Sequence, residues 1–85
     1  MTTLNETIRS VLKTQGRLAV DPETLNDNDD LYRSGLSSHS SVNVMLSLEN
    51  EFDVEFPDEM LTKATFQSIS SVRAALEKLG IKDSG

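Results

Sequence analysis

"SGLSSHSSVNVMLSLENEF", residues 34–52, sets a serine-rich lead against an apolar run that closes on Glu-Phe. The first ten of these residues hold five serines, one glycine and the only histidine of the chain. From Val42 onward the apolar residues keep a helical period. At about 100° per residue, Val44, Met45, Leu48 and Phe52 share one face. Val42 and Leu46 make a second stripe, with His39 and Asn50 beside it. The spacing predicts a helix over about 38–52 with the Val44 face turned to the core. A helix of a small bundle rarely buries two faces. The second stripe therefore either meets another helix or stays partly exposed.

The same reading extends in both directions. Leu4, Ile8, Val11 and Leu12 fall on one helical face, and Thr3 with Glu6 matches a capping box. With Gly16 as a stop, a first helix is expected over about 4–15. Residues 17–37 carry Asp21-Pro22 and several Asn and Asp, all turn chemistry. A connection this long must be pinned. Leu18, Val20, Leu25, Leu31 and Leu36 supply the apolar side chains to do it. After Phe52, Pro57 suits the first position of a short helix and Asp58 and Glu59 favour its N-terminal turn, so a third helix is expected over about 58–63. Ser68 as N-cap, Ile69, Val72, Leu76 and Leu79 on one face, and Gly80 as terminator give a fourth over about 68–79. "FDVEF" alternates but has no partner strand. The expected fold is an all-α four-helix bundle with a long loop between the first two helices, forming one domain over 1–85.

Composition narrows the function. Eighty-five residues with 36% apolar content form a thin core, too small to wall a deep catalytic cleft. With no cysteine and one histidine, neither a thiolate zinc site nor a multi-histidine metal site can be built. A net charge of −6 and an absence of tryptophan argue against nucleic acid and against anionic membrane as partners. No window approaches the length of a membrane span and "MTTLNETIRSVLK" lacks the pattern of a signal peptide, so a cytoplasmic protein is expected. The apolar residues are mostly spent on the internal core, which points to a monomer.

The serines are open to two readings. Before a helix they serve most often as caps and loop polarity. Hydrolytic chemistry fails on inventory: Ser38 and His39 are adjacent, so their side chains diverge on a helix, and no Gly-x-Ser-x-Gly elbow is present. The chain is not expected to be an enzyme. An exposed hydroxyl at a helix N-terminus is instead suited to covalent modification, because a phosphate there meets the positive end of the helix.

The order of these features resembles the acyl carrier protein family, the phosphopantetheine carrier domains. The matching residues are Asp30-Leu31, Gly35, the apolar run from Val42 through Leu48, Glu51-Phe52 and Phe56-Pro57-Asp58, followed by the Ser68–Gly80 segment. The usual Asp-Ser-Leu of the family reads Ser37-Ser38-His39 here. Register with Gly35 and Phe52 aligns Ser38 with the modified serine. The resemblance implies an acyl-carrier-protein-like bundle and a covalent 4′-phosphopantetheine on Ser38, transferred from coenzyme A by a phosphopantetheinyl transferase. It implies a partner-docking surface along the second helix from His39, Val42, Asn43, Leu46, Glu49 and Asn50. Asn43 and Asn50 stand where many relatives carry acids. "GLSSHSSVN" looks like the small carriers served by amino acid:carrier protein ligases, which resemble seryl-tRNA synthetases. Generic acyl carriage for fatty-acid, lipid or polyketide synthesis is the alternative within the family. An unmodified helical interaction adaptor is the alternative outside it.

Overall fold

The structure, a computed structural model, describes residues 3–82. Helix α1, Leu4–Val11, begins where the Thr3 hydroxyl accepts the Glu6 N–H at 3.1 Å. It runs on as a π-helical turn over Leu12–Gly16. The expected helix over 4–15 thus forms in two parts, and Gly16 is not its left-handed exit. Gly16 is packed against Leu12 and Leu18, and Arg17 takes the left-handed conformation at φ 52° instead. Helix α2, Ser38–Phe52, has the boundaries its periodicity predicts. Helix α3, Ile69–Lys78, is capped by Ser68, whose hydroxyl accepts the Ser71 N–H, and is ended by Gly80 at φ 90°. No strand occurs among the described residues.

The third helix is shorter than expected. In place of a helix over 58–63 there is one 3-10 turn, Asp58–Met60. Leu61 leaves helical space at φ −85°, ψ 61°. Thr62 then diverts the backbone, its hydroxyl accepting the Thr65 N–H, a local bond that competes with helix continuation.

The core joins one face of each element. Ile8, Leu12, Leu31, Val44, Leu48, Ile69, Val72 and Leu76 are fully buried. Phe56 and Phe66 close one end edge-to-face, with ring centroids 5.8 Å apart. Helix α1 packs on α3, and α2 packs chiefly on the π-helical turn. The Glu49 carboxylate accepts the Phe56 N–H at 2.8 Å, which ties the segment after α2 back onto that helix.

The long loop is pinned as its leucines predict, with one exception. Leu31 and Leu36 are buried, and Leu18 and Leu25 pack on the core edge. Val20 does not contribute: it is 44% exposed, beyond a loop whose anchors lie elsewhere. Backbone bonds reinforce the leucines, from Leu31 N–H to Gln67 O at 2.7 Å and from Ala19 N–H to Ser34 O at 2.8 Å. At that second tie Gly35 has φ 114°, and a β-carbon on it would stand 2.7 Å from the Ala19 nitrogen. Both the angle and the contact demand glycine. Gly35→Ala is expected to cost about 3 kcal/mol, roughly 15 °C in Tm for a domain of this size. A thermal melt followed by circular dichroism measures it.

Candidate functional site

The site is built where the pinned loop delivers the chain into α2. Leu36 enters the core, so Ser37 arrives in extended conformation and becomes the N-cap. Its hydroxyl accepts the Ser40 N–H at 3.0 Å and donates to the Ser40 hydroxyl at 3.0 Å. Ser40 is buried by this exchange. The Ser41 hydroxyl donates to the Ser38 carbonyl at 2.7 Å. Three of the four serines nearest the helix start are therefore engaged in local hydrogen bonds. Ser38 is exposed at the first helical position, and its hydroxyl makes no hydrogen bond among the described residues.

Ser38 stands on the wall of an open cavity of about 430 Å³. Val42, Met45, Leu61 and Phe66 give the cavity its apolar surface, and Tyr32, Ser41, Thr62 and Lys63 complete it. Its lining holds one cation and no carboxylate. The Lys63 ammonium lies 5.0 Å from the centroid of the Tyr32 ring. The sequence carries no signal for Tyr32 or Lys63, since neither breaks a pattern. Leu61, 44% exposed in a segment expected to be helical, becomes meaningful only once the cavity is seen.

Partial burial pushes the Tyr32 phenol above its ordinary pKa, opposed by a hydrogen bond with Ser41 and assisted by the negative charge of Asp30. The folded state thus holds the phenolic proton more tightly than the unfolded chain does. That contribution to stability is complete below the ordinary tyrosine range and is lost as pH rises through the folded value. Tyrosinate absorbance should titrate at higher pH in the native protein than in urea. Coincident curves would contradict this.

The remaining residues expected along α2 divide. His39, Val42, Leu46 and Asn50 are exposed, Val42 by 50% and Leu46 by 47%, so the second stripe is a surface and not a second core. Asn43 is half-buried. Glu49 is half-buried too, and one of its oxygens is committed to the Phe56 N–H. No group of three or more potential metal ligands is assembled among the described residues.

A small helical protein that offers one unengaged serine beside an apolar cavity has the geometry of a covalent carrier. Comparison with known proteins agrees. The family described as "Phosphopantetheine attachment site" matches residues 3–79. An aminoacyl carrier protein of Agrobacterium fabrum (strain C58) is 45% identical over 69 residues, which cover 81% of this chain and 83% of that protein. Among solved structures, a chain in the complex of an engineered Bradyrhizobium japonicum glycine:[carrier protein] ligase with a carrier protein from Agrobacterium tumefaciens and AMP superposes with a TM-score of 0.84. It is 42% identical, over 86% of this chain and 97% of that one. A chain in the B. japonicum ligase complexed with glycylated carrier protein gives a TM-score of 0.73 at 29% identity, over 85% and 96%. The chain belongs to the phosphopantetheine-attachment family of carrier proteins. It is a carrier and not an enzyme, and 4′-phosphopantetheine is its cofactor.

Proposed function

We propose that Ser38 is the attachment residue and that the chain acts as one carrier domain for an amino acid. The observation that carries this is the state of the serines. Of those at the head of α2, only Ser38 combines exposure with an unengaged hydroxyl. The residues present fit the group: an exposed acceptor hydroxyl at a helix N-terminus, bordering a cavity with a single cation. When bound, the arm supplies a thiol that forms a thioester, which a chain with no cysteine lacks. The protein holds the root of the arm and presents the exposed α2 stripe of His39, Val42, Leu46 and Asn50, with Asn43 and Glu49 at its edge, as the docking surface.

The amino-acid reading draws on the relatives: an aminoacyl carrier protein and carriers bound to a glycine:[carrier protein] ligase. An amino acid:carrier protein ligase is the proposed loading enzyme, and a phosphopantetheinyl transferase the modifying one. Because the arm derives from coenzyme A, a cytoplasmic location fits this reading.

The test weighs the apo-protein before and after incubation with coenzyme A and a broad-specificity transferase. A gain of about 340 Da, mapped to Ser38 by tandem mass spectrometry of its peptide, is expected. Mapping to any other serine would overturn the assignment. An amino-acid thioester on protein isolated from its own cell is the expected cargo. The apolar cavity beside Ser38 is what favours a second reading, generic acyl carriage, and a long acyl chain in that spectrum would establish it instead. The exposed Val42 and Leu46 stripe would also suit an unmodified adaptor, which predicts no mass gain at all.

A further inference from the structure

We propose that Lys63 is a positioning residue for the arm: its ammonium, resting over Tyr32, is the counter-ion of the phosphodiester on Ser38. The proposal builds on the Ser38 attachment argued above.

The chain carries 14 acidic and 8 basic residues, so a randomly placed wall would hold more acids than bases. The wall that Ser38 occupies reverses this, with Lys63 as its one charged group. Two of the other cations are already committed. Arg9 pairs with Asp27 at 2.7 Å, and Arg73 bonds Asn5 and lies 3.6 Å from Glu77. Among the described residues Lys63 has no carboxylate partner; the face of Tyr32 is what it rests on. Lys63 is itself exposed and Tyr32 only half-buried, so this contact holds the cation weakly. A phosphodiester oxygen is a stronger, charge-assisted acceptor, and lysine is a compact point charge on a mobile stem suited to meet it. Modification of Ser38 places that acceptor on the wall of the same cavity. The ammonium then leaves the ring for the phosphodiester. The root of the arm is pinned there, and the far end stays free to reach partner enzymes, which narrows the volume the thiol searches.

Tyr32 is the only tyrosine and the chain has no tryptophan, so intrinsic emission reports the departure of the cation. Conversion of apo-protein to holo-protein should change the Tyr32 emission in the wild type. Lys63→Gln should lose that change, and Lys63→Arg should retain it. In 31P NMR the phosphodiester resonance of the wild-type holo-protein should move as salt is raised, because added ions screen the pair. Lys63→Gln should lose that salt dependence. The helix N-terminus contributes equally in all three proteins and cancels. Two results overturn the role of Lys63 in fully modified protein: a 31P resonance with the same salt response in wild type and Lys63→Gln, or an emission change of equal size in both. Absence of the mass gain in the wild type overturns the Ser38 assignment itself, and this proposal with it.

Discussion

Ser38→Ala is expected to abolish the gain of about 340 Da completely, while folding stability stays within about 0.5 kcal/mol of wild type. Both halves rest on the geometry. The Ser38 side chain is exposed and its hydroxyl holds nothing, so its removal leaves no orphaned partner. Alanine is also a good residue for the first turn of a helix. The neighbouring serines do not take over. The Ser37 oxygen is bound to the Ser40 N–H, Ser40 is buried at 4% exposure, and Ser41 donates into the Ser38 carbonyl. Ser37→Ala is the informative contrast. It removes the N-cap and one partner of buried Ser40, which should cost about 1 kcal/mol, and it should still accept the arm. Intact mass and chemical denaturation on the two variants separate attachment from capping. Residual modification of Ser38→Ala would mean that the wrong hydroxyl has been assigned.

The behaviour of α2 was legible because its signals are local. Val44 and Leu48 share a helical period and are buried together, and Phe52 ends the helix where the pattern stops. Ser68 and Gly80 are local signals as well, and both act as expected. The third helix was not legible, because Leu61 and Thr62 turn the chain by a backbone choice and a side-chain bond that no periodicity encodes. The exposure of Val42 and Leu46 depended on which elements lie against α2, which is tertiary information. Glu49 shows the same limit. The resemblance places it on the docking surface, yet the returning chain at Phe56 takes one of its oxygens. Register singled out Ser38 among its neighbours, but the reason those neighbours are engaged emerges only from the hydrogen bonds of the folded loop. Lys63 lies well downstream of Ser38 in sequence, and only the fold brings it to the cavity wall that Ser38 and Tyr32 share.

Arg9→Met is expected to destabilise the protein by about 3 kcal/mol, far more than its surface-like sequence context suggests. Arg9 lies near the end of α1, between Ile8 and Ser10, in what reads as the polar side of an amphipathic helix. In the fold its side chain is only 15% exposed. The guanidinium donates to the carbonyls of Pro22 and Leu25 and to the Asp27 carboxylate at 2.7 Å, three acceptors along one stretch of the long loop. Asp27 is held in turn by the Asn5 amide at 3.1 Å, and the Asp27 carbonyl receives the Ser70 N–H of α3 at 2.9 Å. One cation thus gathers α1, the loop and the head of α3. Methionine keeps the apolar stem but removes the guanidinium from two carbonyls and a carboxylate, leaving Asp27 the Asn5 amide and Pro22 the Leu25 N–H. Asp27 is 44% exposed, so water recovers part of that loss, which keeps the estimate near the lower end for a broken partly buried pair. Lysine at this position restores the charge without the planar fork and should recover only part of the stability. The loop fixed here runs on to Gly35 and Ser37, so the head of α2 should loosen with it. Hydrogen exchange at the Ala19 and Leu31 amides, the loop donors to Ser34 and Gln67, should quicken more in Arg9→Met than exchange in the middle of α2. Uniform acceleration across the chain would show that Arg9 supports global stability alone, and unchanged exchange with an unchanged denaturation midpoint would show that the clamp contributes nothing.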